Sequence, residues 1–286
     1  MVLNAFIFTA VLSGLTSVFQ IVKLSFLGYR LDSTVRIDSF LENSNNLGAY
    51  TVLSFFIVLM FIIKSKNKSS KIFFGFLLIL LLASIISCQS RNALIGLLIG
   101  SFLIAALYDK RFILLSIILP IPLFLIPQSR LRILQIFDSS QNSSRFQIWE
   151  SAKMMIKDNP IFGIGYNNFE VNYPIYVANN ENLFISEGYL PLHPHNIFLN
   201  IQAELGILGT ISFILFISIT IFTLLKLIRL HTDNNINGIL IGITCGFISL
   251  QFMNLIDNFY NAPKVALSMF VILAVANYHK IHWYNR

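Results

Sequence analysis

Apolar residues in this chain fall in long runs, separated by short polar breaks and by one long one. A helix that crosses a bilayer needs about 20 predominantly apolar residues, with a working range of roughly 17–25. Eight stretches come near that length: about 3–22, 47–63, 72–89, 92–108, 112–127, 197–225, 236–256 and 263–279. The pattern predicts an all-α integral membrane protein with about eight transmembrane helices, a single polytopic membrane domain over 1–286. Stretches 92–108 and 112–127 are short, and Pro120, Pro122 and Pro127 interrupt the second. A kinked span survives where neighbours pair the freed backbone groups; a re-entrant pair is the alternative.

The long break, about 128–197, predicts one extended outward-facing loop containing a short interfacial helix. Ser144 and Gln147 have the spacing of a capping box, which starts a helix near Arg145. Phe146, Trp149, Ala152, Lys153 and Ile156 then recur at helical spacing until Asp158-Asn159-Pro160 stops the run. Such a helix lies along a membrane interface with Trp149 at headgroup depth. The glycines of Pro160-Ile161-Phe162-Gly163-Ile164-Gly165 fit neither a P-loop nor a dinucleotide fingerprint and read as a tight turn.

Composition agrees with a membrane protein. Of 286 residues, 56% are hydrophobic and 12% charged, about half the charged fraction of an ordinary soluble domain; the mean hydropathy is +0.72. The apolar runs recur along the whole length, which excludes a single span or a signal peptide as the source of this bias. The net charge of +7 does not point to nucleic acid, because the basic residues cluster in the breaks between apolar runs. Lys64, Lys66, Lys68 and Lys71 fill one break and Lys110 and Arg111 another; Lys226, Arg229 and His231 follow the sixth run, and His279, Lys280, His282 and Arg286 end the chain. With eight spans all four clusters share one side, which the positive-inside rule assigns to the cytoplasm. Both termini are then cytoplasmic, and 23–46, 89–91, 128–197 and 254–261 face outward. Cys88 and Cys245 lie in or beside apolar runs, read as small core residues and build no disulfide framework.

The candidate chemistry gathers on that outward side. Arg145 sits at a helix N-terminus, where unpaired N–H groups and a guanidinium fork favour a phosphate; the plainer reading is an arginine snorkelling to water. Arg91 stands at a corner between two apolar segments, where it faces either a cavity or the headgroups. His193 and His195 bracket Pro194 just before the sixth span. Imidazole exchanges protons near neutral pH, although a histidine there also serves as a helix cap, as His193 is expected to. Asn196, Asn200 and Glu204 recur every four residues and share one helix face, a polar stripe that should point into the bundle. Glu204 either orients a histidine, binds sugar hydroxyls or pairs with an arginine, and Asp257 is a similar candidate after the seventh span. No Cys, Asp or Glu stands at ligand spacing from the histidines in sequence, so no zinc site is expected. Nor does the outward face carry an Asp-x-Asp pair, so neither metal nor cofactor is expected and arginines would take the cation's place.

Taken in order, Ser90-Arg91-Asn92-Ala93, Arg145-x-x-x-Trp149, Pro160–Gly165, His195-Asn196-x-x-Leu199 and Glu204-Leu205-Gly206 resemble the O-antigen ligase and O-antigen polymerase superfamily of bacterial envelope enzymes. The ligase-like region runs over about 72–225, and Asn43–Tyr50 resembles an earlier Asn-rich family helix. The resemblance implies transfer of a glycan from an undecaprenyl-diphosphate carrier to an acceptor hydroxyl, glycan or lipid A-core, on the outer face of the inner membrane. It implies catalysis by Arg91, Arg145 and His195, with Asn196, Asn200, Glu204, Trp149 and Asp257 binding substrate and a membrane lipid tail lying between spans. A repeat-unit polymerase needs the same residues; protein O-glycosylation, and transport or flipping of the lipid-linked glycan, are further alternatives. Family members usually have ten or more spans, with the matched region in the C-terminal half, so eight spans are the pattern of a fragment, a mis-started reading frame or a reduced member.

Overall fold

The structure, a computed structural model, describes residues 1–32, 35–119, 121, 130, 143–178, 180–231 and 233–284, and among them every regular element is helical. An apolar environment offers backbone groups no water to bond, so runs of this composition close their hydrogen bonds within helices. The elements are α1 (Val2–Phe26), α2 (Ser44–Lys64), α3 (Lys68–Ser87), α4 (Arg91–Leu107), α5 (Leu115–Ile118), α6 (Ser143–Asp158), α7 (Phe169–Ala178), α8 (Ile197–Leu230), α9 (Asn234–Met253) and α10 (Pro263–Tyr284), with short 3₁₀ turns among them. Polar residues in the breaks start several of them. Asn43 accepts the Asn45 N–H at 2.7 Å, Asn67 the Ser69 N–H at 2.9 Å, and Asp233 the N–H groups of Asn235 and Ile236, as N-cap residues do.

Five of these helices, α1, α2, α3, α8 and α9, are long and apolar enough to cross a membrane. The expected class therefore holds: this is an all-helical membrane protein. The described residues do not by themselves establish the expected count of eight. At 17 residues α4 is a shorter apolar helix, and α10 covers the eighth stretch as a helix. Of the fifth stretch, α5 is described, whereas Pro120, Pro122 and Pro127 lie outside the described residues.

The chain groups into two compact units: Met1–Leu134 with Phe222–Met253 and Ala262–Arg286, and Gln135–Ile221 with Asn254–Asn261. In the first, α2 and α9 are the central pair, each with 72% of its apolar window buried. Gly242 and Gly246, four residues apart, share one face of α9 and let the two backbones approach. A Cβ at Gly242 would lie 2.7 Å from the Ile57 Cα, and one at Gly246 2.7 Å from the Leu53 carbonyl oxygen. Close approach through small residues is how helices associate where lipid removes the hydrophobic drive. By contrast α1 exposes Phe8, Leu15 and Phe19, an outer face suited to hydrocarbon.

In the second unit a helix is present where one was expected near Arg145, as α6, and a further helix, α7, follows it. Ile148, Ala152 and Met155 of α6, Phe169 and Tyr173 of α7 and Ala203 of α8 form one buried cluster. The buried face of α6 thus runs through Ile148, Ala152 and Met155, while Phe146 is exposed. Gln147 directs its amide N–H groups to the carbonyls of Asn182 and Phe184, at 3.0 and 3.1 Å, and so ties α6 to the chain beyond α7.

The sixth apolar run, expected to be one continuous helix, is broken at Gly206, where φ is 65° and ψ −162°. The Pro160–Gly165 turn fills the break. Ile164 and Gly165 donate their N–H groups to the carbonyls of Ala203 and Glu204, at 2.8 and 2.9 Å, and Ile207 donates to the Pro160 carbonyl at 3.0 Å. A Cβ at Gly163 would lie 2.3 Å from the Glu204 carbonyl carbon, and one at Gly206 2.1 Å from the Ile161 oxygen. Both residues also have positive φ, so glycine is required there on two counts.

The central pair supplies a test. Gly246→Ala should lower the thermal stability of the detergent-solubilised protein by about 1–3 kcal/mol, the range typical of overpacking. Gly75→Ala, where an added Cβ meets nothing within 4 Å, should not lower it; thermal unfolding of both variants measures the difference.

Candidate active site

His195 is the residue around which polar side chains gather in the second unit. It precedes α8, whose first turn is capped by Asn196: the Asn196 side-chain oxygen accepts the N–H groups of Phe198 and Leu199, at 2.9 and 3.1 Å. The Asn196 amide nitrogen donates to the Leu255 carbonyl at 3.0 Å, and the Ile197 N–H to the Asn254 carbonyl at 3.0 Å. The Asn254 side chain in turn accepts the Phe259 N–H at 2.8 Å. These bonds fasten the loop after α9 to the start of α8 and bring Asp257 to the histidine.

His195 Nδ1 lies 3.1 Å from Asp257 Oδ1 across 62 residues of sequence. A carboxylate on Nδ1 fixes the proton there, which leaves Nε2 as the proton acceptor. The Asp257 side chain is 10% exposed and that of His195 33%, so the carboxylate is enclosed while the imidazole still reaches solvent. Burial alone would raise the Asp257 pKa. The His195 hydrogen bond and charge, the nearby Arg145 and the Asn258 N–H outweigh it and hold the carboxyl below its ordinary value. Arg145, in the first turn of α6, is thereby near enough to Asp257 to act on its charge.

His193 plays a different part from the expected helix cap. Its Nδ1 accepts the His195 backbone N–H at 3.1 Å, its ring meets that of His195 edge-on with centroids 4.6 Å apart, and His195 takes the left-handed φ of 49°. Burial, aided by the neighbouring His195 and opposed by Asp257, pushes the His193 pKa down to about 4. It stays neutral at neutral pH and braces the His195 backbone.

The polar stripe on α8 divides by task. Glu204 is buried; one of its oxygens accepts the Phe169 N–H at 3.2 Å and the other the Asn200 amide at 3.2 Å. A carboxylate at the first N–H of α7 is well placed against the helix dipole. Of the three roles open to Glu204, bonding a helix N-terminus was not among them. The Asn200 side-chain oxygen and Trp149 Nε1 are buried with no hydrogen-bond partner among the described residues, and such groups are costly to leave unpaired. The Trp149 ring packs edge-on against Phe146, with centroids 5.5 Å apart. Arg91 opens α4 in the first unit, directly after Ser90.

His193, His195 and Asp257 place one potential ligand atom each within 4.8 Å of one another. Three-dimensional structure thus supplies the carboxylate that sequence spacing did not. The direct His195–Asp257 bond, however, occupies two of the atoms a cation would need.

With this geometry in hand, comparison with known proteins is informative. The family model described as "O-Antigen ligase" matches residues 76–214, in agreement with the resemblance read from the motifs. The chain is also 30% identical over 172 residues to the Rickettsia typhi protein named "Putative polysaccharide ligase", a match covering 55% of this chain and 41% of that one. Less than half of that relative's length is therefore matched.

The half-buried, neutral His193 makes stability depend on pH. Its folded pKa lies below the ordinary histidine value of 6.5, so between pH 6.5 and about 4 the unfolded chain binds more protons than the folded one and stability falls as the pH drops. Thermal unfolding across this window should show a slope that His193→Asn flattens.

Proposed function

From the match of residues 76–214 to the O-antigen ligase family model, we propose a glycan transferase of the ligase type. In this reading it moves a glycan from an undecaprenyl-diphosphate carrier to an acceptor hydroxyl, lipid A-core or another glycan, on the outer face of the inner membrane. One observation carries the proposal: the hydrogen-bonded His195–Asp257 pair, with Arg145 close enough to help hold the carboxylate ionised.

The proposed reaction balances as follows. The acceptor hydroxyl gives its proton to His195 Nε2 as its oxygen bonds to the anomeric carbon. The bond from that carbon to the diphosphate breaks, and its electron pair leaves with undecaprenyl diphosphate. Asp257 holds the imidazole in the accepting tautomer and stabilises the imidazolium that forms, the division of labour familiar from hydrolytic triads. Arg145 meets the charge that grows on the leaving group; such electrostatic stabilisation needs no metal. Asn200 and Trp149, with their unpaired polar atoms, are the groups to bind sugar hydroxyls.

The outward placement rests on the four basic clusters, which the positive-inside rule puts in the cytoplasm. Ligase-type transfer is preferred over polymerisation because the matched family and the rickettsial relative are both described as ligases.

Membranes holding the protein, supplied with undecaprenyl-diphosphate glycan with and without lipid A-core, provide the test. Product on lipid A-core is the expected result; a ladder of repeats formed without lipid A-core would make the protein a polymerase, and no product from either would refute the reading. His195→Ala and Arg145→Ala should each reduce transfer by at least about 10²-fold with membrane insertion unchanged. A chelator should leave the wild-type rate as it was, and loss of transfer that added divalent metal restores would convert the His193–His195–Asp257 cluster into a metal site.

A further inference from the structure

In the first unit, at the lysine-rich ends of the helices, the C-terminus of α2 and the N-terminal turns of α3 and α9 enclose a half-open cavity of about 620 Å³. Its lining has two characters. Phe61 and Phe74 stack with centroids 4.7 Å apart and ring planes 7° from parallel, and they form an apolar wall. Lys64, Lys66, Ser70 and Asn235 line the polar side. Lys64 Nζ donates to Asn234 Oδ1 at 2.6 Å and sits 4.4 Å from the centre of the Tyr108 ring, which holds the ammonium at the cavity.

The charges around it are unbalanced in a particular way. The first turn of α3 carries Lys68 and Lys71 and no acidic residue, although cations at a helix N-terminus oppose its dipole. Asp233, the one carboxylate in the lining, accepts the N–H groups of Asn235 and Ile236 and is committed to capping α9. Lys64 and Lys66, with Asn67 and Ser70 at the α3 N-terminus, therefore line a space whose other wall is aromatic. Beyond it Ile72, Phe76 and Ile79 of α3 are exposed, an apolar flank leading away from the cavity.

We propose that this cavity binds an anionic phospholipid, its phosphate between Lys64, Lys66 and Ser70 and its acyl chains along Phe61, Phe74 and the outer flank of α3. Charge complementarity selects the headgroup, as in basic pockets between transmembrane helices generally, and the aromatic wall selects an amphiphile over a free anion. The lipid stabilises the fold by mass action, because only the folded state presents the site. The site is separate from the His195 cluster, and its occupancy is independent of the proposed transfer reaction.

The test uses the full chain in mild detergent, with native mass spectrometry to count bound lipid and thermal unfolding to follow stabilisation. Phosphatidylglycerol should bind and raise the melting temperature, while phosphatidylcholine and inorganic phosphate should not. Lys64→Gln with Lys66→Gln should weaken phosphatidylglycerol binding by about tenfold or more, and Lys153→Gln on α6 should leave it unchanged. Should the double variant fail to fold, Lys66→Gln with Ser70→Ala removes two of the three proposed phosphate contacts and spares the Lys64–Asn234 bond. Equal binding of the two lipids, lysine variants that bind like wild type, or stabilisation by inorganic phosphate alone would each overturn the proposal.

Discussion

The second unit is organised by the need to pair backbone groups where an apolar helix is interrupted. Gly206 breaks α8 and releases the carbonyls of Ala203 and Glu204 and the N–H of Ile207, and the Pro160–Gly165 turn satisfies all three. In hydrocarbon surroundings each such group costs several kcal/mol if left unpaired, so the turn and the break require one another. The consequence reaches beyond that contact. Gly165 leads into α7, whose first N–H is received by Glu204, and Asn159 closes α6. The exchange thereby fixes the two helices against the start of α8.

A second set of bonds completes the constellation from the opposite end of the sequence. Asn196 and Asn254 are modest residues by type, yet between them they cap α8 and pin the loop that carries Asp257. His193 contributes by remaining neutral and accepting the His195 N–H, which supports the left-handed backbone at that residue. The imidazole that could take a proton is thus held through its ring by Asp257 and through its backbone by His193. Preorganisation of this kind keeps reorganisation out of the reaction barrier.

How much of this was legible in the sequence follows from the range of the interactions involved. The apolar runs announced the helices because a membrane span is a local property of about twenty residues. α6 was legible for a similar reason, with its helical period and Asp158-Asn159-Pro160 stop all close together. α7 was not, because Pro174 lies within it and an interior proline ordinarily argues against a helix. The Gly206 break was hidden by apolar sequence on both sides, and its partner turn lies some forty residues upstream. Asp257 could be singled out as a candidate, but its bond to His195 joins residues 62 apart, which no motif spacing encodes. Glu204 was noticed as an acid facing the bundle, while its use as the partner of the α7 N-terminus depends on a helix that the sequence concealed.

The central claim is that His195 and Asp257 act as one catalytic unit, and a double-mutant cycle on the transfer rate tests it most directly. Groups that act together lose their effects non-additively when both are removed. With His195→Gln, Asp257→Asn and the double variant assayed on the same lipid-linked donor and acceptor, the account predicts that the double variant is no slower than His195→Gln alone. Multiplicative losses, with Asp257→Asn slowing the His195→Gln enzyme as much as it slows the wild type, would contradict it.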